Sequence, residues 1–176
     1  TILFLINYFN EVSELTNFLF FQIVIMVTFL VFNFPKAKVF LGDGGSYLLG
    51  AIIALSTIKT SIANPSISPF FFCIILFYLF FEVFFSFFRK LVKERKNPLL
   101  PDKYHLHMLV YKIIFKQNKD KLRSNYLVSV FINLIYLILI TPTFFMMNNG
   151  LLCKYYSLIF FVFYIFSYKI SYDKKK

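Results

Sequence analysis

The sequence predicts an all-α, polytopic integral membrane protein, a bundle of membrane-spanning helices. Hydrophobic residues make up 59% of the 176 residues, and aromatic residues make up 22%. The apolar residues occur in continuous runs long enough to cross a bilayer and lack the spacing of amphipathic helices. A soluble domain of this size cannot bury so much apolar surface, so the runs are predicted to face lipid and one another.

Breaks in the apolar runs place six spans in a single transmembrane domain. Asn33, Pro35, Asn64 and Pro65 are typical of helix ends and turns. The predicted spans are residues 1–9, 17–32, 46–62, 70–88, 126–145 and 151–170. The first is interpreted as the partial end of a helix, since the chain begins inside an apolar run. Residues 33–45 and 89–125 are the predicted loops.

Positive charge gives the predicted orientation. The net charge is +11, and sixteen of the nineteen Lys and Arg residues fall in loops 33–45 and 89–125 or in the C-terminal tail. Because cytoplasmic loops carry an excess of Lys and Arg, both loops and the C-terminus are predicted to be cytoplasmic. No nucleic-acid recognition motif accompanies this charge, so we expect a membrane partner and no nucleic acid. Cys73 and Cys153 lie in apolar runs and are expected to be buried, unpaired thiols.

A Gly-rich loop around one carboxylate is the first candidate for chemistry. Residues 39–46 read V-F-L-G-D-G-G-S, with Asp43 among three glycines and Ser46 as the predicted N-cap of a helix. A helix N-terminus favours phosphate, and a carboxylate beside phosphate requires a bridging cation such as Mg²⁺. The alternative is a turn whose Asp merely caps the helix.

The second candidate is a basic loop with two histidines. Residues 97–107 read N-P-L-L-P-D-K-Y-H-L-H. His105 and His107 would share a face only in extended backbone, which Pro101 favours. A zinc site would need further ligands, and the two cysteines lie in predicted spans.

Both loops, in this order, resemble the signature loops of the polyprenyl-phosphate N-acetylhexosamine-1-phosphate transferases of glycosyltransferase family 4. This group includes the undecaprenyl-phosphate GlcNAc-1-phosphate and phospho-MurNAc-pentapeptide transferases. The Pro-Asp-x-x-His-x-His pattern resembles the glycan-initiating branch more than the branch with three consecutive histidines, and Met108 stands where many relatives carry a further His. The resemblance implies the C-terminal half of a larger multi-span transferase.

The resemblance also implies roles for single residues. Asp43 would be the catalytic Mg²⁺ ligand, and Phe40 would stack on uracil. Six residues are expected to bind substrate: Phe40, Arg89, Lys90, Asp102, His105 and His107. Arg89 and Lys90 could instead simply anchor their helix at the membrane, and Asp102 could order the His loop. Glu82 lies inside an apolar span, where a carboxylate is costly, and we assign it no catalytic role.

The implied reaction transfers a sugar 1-phosphate from a UDP-N-acetylhexosamine to polyprenyl phosphate, releases UMP and initiates a cell-envelope glycan at the bacterial inner membrane. The resemblance leaves open whether that glycan is peptidoglycan, lipopolysaccharide O-antigen or capsule. It also leaves open whether the protein forms a homodimer. The family's acidic pair belongs to its N-terminal half, and no Asp-Asp occurs here. The chain is therefore expected to need that half as a partner and to be inactive alone. The alternatives are a transporter-like protein, with Asp43, Glu82 and the histidines lining a path, or a non-catalytic protein of the same fold.

Overall fold

The computed structural model describes residues 2–95, 97, 98, 100 and 102–174. Every regular element in this part of the chain is helical, so the predicted all-α class is confirmed. The chain divides into two compact units, Thr1–Ile67 and Ser68–Lys176. The Asp43 loop belongs to the first unit and the His loop to the second.

The described residues of the first unit form three helices, α1 (Ile2–Phe9), α2 (Ser13–Asn33) and α3 (Gly42–Ala63). A polar network joins α1 to the C-terminal end of α3. Asn7 donates to Thr60 Oγ1 at 2.8 Å, and Asn64 donates to Asn7 Oδ1 at 3.2 Å. Asn7, Thr60 and Asn64 are buried, so these amide and hydroxyl groups satisfy one another where water is absent.

Helix α3 begins at Gly42, so the prediction that Ser46 is its N-cap is wrong. Ser46 is the fifth residue of α3, and its hydroxyl donates to the carbonyl of Gly42 at 2.9 Å. Gly42 has φ of 71°, a left-handed conformation that glycine adopts without steric cost. This freedom starts the helix early and brings Asp43 into its first turn.

The second unit holds six α-helices and one π-helical segment within its described residues. The elements are α4 (Pro69–Ile75), α5 (Phe77–Phe88), the π-helical segment (Arg89–Glu94), α6 (Leu106–Asn118), α7 (Lys121–Ile140), α8 (Thr143–Met146) and α9 (Gly150–Lys174). Helix α6 lies in the stretch 89–125, which the sequence interpretation treats as a loop. Asp120 caps α7 by accepting from the backbone N–H of Arg123 at 3.1 Å.

Residues 70–88, predicted as one span, are broken at Leu76. Helix α4 and the helical segment that starts at Phe77 are bent by 72°. The cause is Tyr136 of α7, whose hydroxyl accepts from Tyr78 N at 3.3 Å and donates to the carbonyl of Ile74 at 2.7 Å. In an unbroken helix Tyr78 N would bond Ile74 O directly. The inserted hydroxyl replaces that bond and accounts for the kink.

Among the described residues, four helical segments are long and apolar enough to cross a membrane, namely Ser13–Asn33, Gly42–Ala63, Lys121–Met146 and Gly150–Lys174. The bent pair at Leu76 is a candidate fifth span. Most of their apolar side chains are exposed, as expected of lipid-facing surfaces. The protein is therefore a multi-pass membrane protein. Both cysteines are free; Cys153 is buried, but Cys73 is exposed, so the expectation of burial is wrong for Cys73.

Candidate functional site

The Asp43 loop presents its carboxylate at the start of α3. Asp43 is exposed and lies in the first turn, where the helix dipole favours negative charge. Within the described residues, its carboxylate has no hydrogen bond or ion pair to protein. The loop itself is closed by Asn33, whose side-chain oxygen accepts from Val39 N at 3.1 Å. Asp43 is thus free to bind a ligand.

These features fit one Mg²⁺ ligand. Mg²⁺ prefers oxygen ligands, keeps several waters and is commonly bound by one or two carboxylates together with substrate phosphates. An exposed carboxylate with no protein partner suits that mode. No cluster of three His, Cys, Asp or Glu side chains able to hold a metal occurs among the residues described, so a complete protein-only site is not available in this part of the chain.

Phe40 and two lysines flank Asp43 in the same loop. The Phe40 side chain is 90% exposed, so its ring face is open to lipid or to a ligand. Lys36 and Lys38 are also exposed. The first unit therefore offers an aromatic face, two cations and a carboxylate on one short segment.

In the second unit, Glu82 is the centre of a hydrogen-bonded cluster. It lies in α5 and is buried. Its Oε1 accepts from the backbone N–H of Leu106 at 2.8 Å and lies 3.1 Å from His105 Nδ1, while its Oε2 accepts from the Tyr164 hydroxyl at 2.6 Å. Glu82 therefore connects α5, the start of α6 and α9 through one carboxylate.

The two histidines lie side by side at the start of α6. His105 is the N-cap residue in extended conformation, and His107 is already helical, so the expectation of one extended segment is only half right. Their rings are stacked with centroids 5.6 Å apart and planes 13° apart. Desolvation lowers the pKa of His107; Glu82 opposes this shift, and His105 adds to it. His107 therefore favours the neutral form.

Asp102 and Arg89 hold the loop that carries the histidines. Asp102 accepts from Tyr104 N at 2.9 Å and from the Ser86 hydroxyl at 2.7 Å, and it is ion-paired with Arg89. Burial raises the pKa of Asp102, but the bonds from Ser86 and Tyr104 and the charge of Arg89 outweigh burial and leave it below its usual value. Arg89 is also ion-paired with Glu94.

Lys90 is buried and fastens the same loop through backbone carbonyls. Its ammonium donates to the carbonyls of Pro98 and Leu100. The cationic ends of Arg89 and Lys90 are thus directed at protein groups in this structure. Their expected contact with substrate phosphate stays a prediction.

Two cavities adjoin the His loop within the second unit. One, of about 280 Å³, lies among α5, α6, α7 and α9 and is lined mainly by aromatic and aliphatic side chains, with Leu106 and Tyr164 on its wall. The other, of about 500 Å³, lies between α6 and α7 and includes His107, Lys121 and Asn125. The first suits a hydrocarbon chain, and the second has room for a polar ligand.

Comparison with known proteins finds a family match in the first part of the chain. Residues 1–61, which contain the Asp43 loop, match the family model of Glycosyl transferase family 4. The resemblance inferred from the motifs is therefore confirmed.

One curated relative of this chain is the undecaprenyl-phosphate alpha-N-acetylglucosaminyl 1-phosphate transferase of Thermotoga maritima. It is 40% identical over 82 residues, which cover 47% of this chain and 26% of the relative. The chain thus spans about a quarter of that relative in the match. No solved structure matches.

The predicted site residues therefore fall into two sets. Phe40 and Asp43 lie in the first unit, within the residues that match the family model, and Arg89, Lys90, Asp102, His105 and His107 lie in the second unit. Within the second unit the structure brings Arg89 to Asp102 and His105 to His107. Sequence reasoning missed the contact of Glu82 with His105. Its one sequence signal is a carboxylate inside an apolar run.

Proposed function

We propose that this protein takes part in transferring a sugar 1-phosphate of the N-acetylhexosamine type from a UDP-sugar to polyprenyl phosphate, with release of UMP. The observation that carries the proposal is the segment that matches the family model, in which Asp43 is exposed and unpartnered at a helix start. The similarity to the Thermotoga maritima enzyme, named for this type of transfer, supports it. The product would initiate a cell-envelope glycan.

The proposed reaction needs charge stabilisation more than covalent chemistry from the protein. An oxygen of the acceptor phosphate attacks the β-phosphorus of the UDP-sugar, and the bond from that phosphorus to the oxygen bridging to UMP breaks. Negative charge grows on the departing UMP phosphate, so cations and N–H donors that meet it there lower the barrier. A bound Mg²⁺ would supply that neutralisation. Asp43 would hold it.

The remaining roles follow from the side chains of each unit. Phe40 would stack on the uracil base, for which an exposed aromatic face is suited. His105 and His107 would donate N–H bonds to substrate phosphate. We propose that Arg89, Lys90 and Asp102 act mainly by fixing the His loop, because their charged ends bind Glu94, loop carbonyls and one another.

The acceptor is a lipid, and the apolar cavity of about 280 Å³ supports its binding in the second unit. The basic loops support a cytoplasmic site on a bacterial plasma membrane, because 16 of 19 Lys and Arg residues lie on one predicted side. A permeation path is less well supported, since both oxygens of Glu82 are already hydrogen-bonded to protein.

The test uses Asp43→Asn in membranes that contain the full-length product of the gene. The change keeps the shape of the side chain and removes the charge that would hold Mg²⁺. We expect a fall of at least about 100-fold in the transfer of radiolabelled sugar phosphate into extracted lipid, the range for loss of an electrostatic stabiliser. Added Mg²⁺ should partly offset the loss.

Asp120→Asn is the matched control, because Asp120 caps α7 and an Asn at that position caps a helix about as well. It should retain transfer within about twofold. Normal transfer by Asp43→Asn, with the same Mg²⁺ requirement as the wild type, would reduce Asp43 to a residue of the helix start.

A further inference from the structure

Glu82 makes three contacts that together define its chemical state. The backbone N–H of Leu106 can only donate, so Oε1 is an acceptor there, at 2.8 Å. The Tyr164 hydroxyl donates to Oε2 at 2.6 Å. An ionised carboxylate is an acceptor at every position. Glu82 is therefore held as an acceptor on both oxygens, and it also caps the start of α6 from a neighbouring helix.

This arrangement determines which nitrogen of His105 carries the proton. Glu82 Oε1 lies 3.1 Å from Nδ1 and is an acceptor there, so Nδ1 carries a proton and Nε2 is the nitrogen not engaged by Glu82. Nε2 is then left for a ligand. The stacked ring of His107, with its centroid 5.6 Å away, restrains the orientation of His105 from another direction. Both the tautomer and the ring plane are thus fixed before any ligand arrives.

Helix capping alone does not account for the contact with His105. A carboxylate that served only α6 would need the N–H of Leu106 and nothing from an imidazole. A carboxylate bonded to one ring nitrogen is a common way in which proteins set the tautomer and orientation of a functional histidine. In a lipid-facing helix such a buried carboxylate is costly, and the cost is offset only if every lone pair is used.

We propose that Glu82 is the positioning residue of His105: its carboxylate accepts from Nδ1–H, and in the substrate complex the ring carries a second proton on Nε2, which it donates to the phosphate of a nucleoside diphosphate sugar. The inference rests on the proposed function, because it assigns the ligand of Nε2 as that substrate. Glu82 touches no substrate itself. Its effect is on the charge that develops as UMP leaves, so it should act on kcat more than on the KM for the sugar nucleotide.

The experiment combines kinetics with histidine NMR on the full-length protein in lipid nanodiscs. Glu82→Gln keeps the size and an acceptor oxygen for Nδ1–H but loses the charge. We expect kcat to fall about 10- to 100-fold, the range for loss of a hydrogen bond to a charged group, with KM for UDP-N-acetylglucosamine changed less than about threefold. Glu14→Gln, an exposed position in α2, is the control and should leave both constants unchanged.

Glu82→Leu removes the acceptor as well. In nitrogen-15 spectra of labelled histidine, assigned with a His107→Gln sample, the wild type and Glu82→Gln should show His105 protonated at Nδ1. Glu82→Leu should lose that preference and lose more activity than Glu82→Gln. If Glu82→Leu does not fold, the kcat and KM of Glu82→Gln still test whether Glu82 positions His105.

Two results would overturn the inference: a kcat for Glu82→Gln within about twofold of the wild type, or an unchanged Nδ1–H tautomer in folded Glu82→Leu. A wild type that forms no labelled lipid would refute the proposed function and, with it, the catalytic role of Glu82. That failure is distinguishable, because the tautomer of His105 is measured independently of turnover.

Discussion

Replacing Asp102 by alanine should release the His loop. Asp102 joins Ser86 of α5, the guanidinium of Arg89 and the backbone of Tyr104 through one carboxylate, and its side chain is only 4% exposed. Removing it leaves the Arg89 guanidinium, 6% exposed, with a less buried partner, since Glu94 is 23% exposed. The loop backbone also loses its bond at Tyr104.

The size of the effect follows from these contacts. Removing one partner of a buried ion pair costs about 3–5 kcal/mol when the other charge is left without compensation. Glu94 remains as a partner of Arg89, so we expect the substitution to lower the free energy of local opening of the loop by about 2–3 kcal/mol. Since each 1.4 kcal/mol is a factor of ten, this corresponds to about 30- to 140-fold faster hydrogen exchange.

The assay is hydrogen–deuterium exchange at the Tyr104 amide, which donates directly to Asp102. Asp120→Ala removes an exposed helix cap and serves as the control; it should leave Tyr104 unchanged while exposing the amide of Arg123. Equal exchange at Tyr104 in the wild type and in Asp102→Ala would refute the reasoning that this carboxylate holds the loop.

The same contact has a pH dependence of known direction. The pKa of Asp102 is lowered in the folded protein, so the unfolded loop binds more protons in acid. The contribution of Asp102 is therefore complete above the ordinary carboxyl pKa of about 3.9 and is lost as pH falls through the lowered value. Protection of the Tyr104 amide, corrected for intrinsic exchange, should follow that course and be absent from Asp102→Ala.

Two further predictions concern the fold. Tyr136→Phe removes the hydroxyl that separates Ile74 from Tyr78, so the free energy of unfolding should fall by about 1–3 kcal/mol. The control Tyr155→Phe, at an exposed ring, should change that free energy little. An unchanged free energy of unfolding for Tyr136→Phe would contradict the explanation of the kink. The second prediction tests membrane orientation with single cysteines, in a background without Cys73 and Cys153. In intact cells, a cysteine at Asn118 should be protected from an impermeant thiol reagent, and one at Asn148 should react. The reverse pattern would contradict the predicted orientation.

Composition and apolar run length were enough to predict the fold class. They could not predict the break at Leu76, because the hydroxyl responsible belongs to Tyr136, 58 residues beyond Tyr78. They also missed α6, whose lysines made the stretch look like a polar loop. Ser46 misled because serine is a common N-cap, while the positive φ of Gly42 is visible only in the backbone.

The candidate site also has a part that the sequence could predict and a part that it could not. Motif spacing was sufficient to select Asp43 and the two histidines, since both patterns are local in sequence. The support of the His loop was not visible, because Glu82 and Tyr164 reach His105 and Leu106 from helices distant in sequence. The sequence also could not show that Arg89 and Lys90 bind protein groups, since that depends on the return of the loop against the end of α5.

The fate of the β-phosphate tests the central claim most directly. Full-length protein in membranes would be given polyprenyl phosphate, Mg²⁺ and UDP-N-acetylglucosamine labelled at the β-phosphate. Transfer of a sugar 1-phosphate places the label in the extracted lipid and releases unlabelled UMP in equal amount. Label recovered in released UDP, with sugar alone joined to the lipid, would contradict the account, as would the absence of labelled lipid.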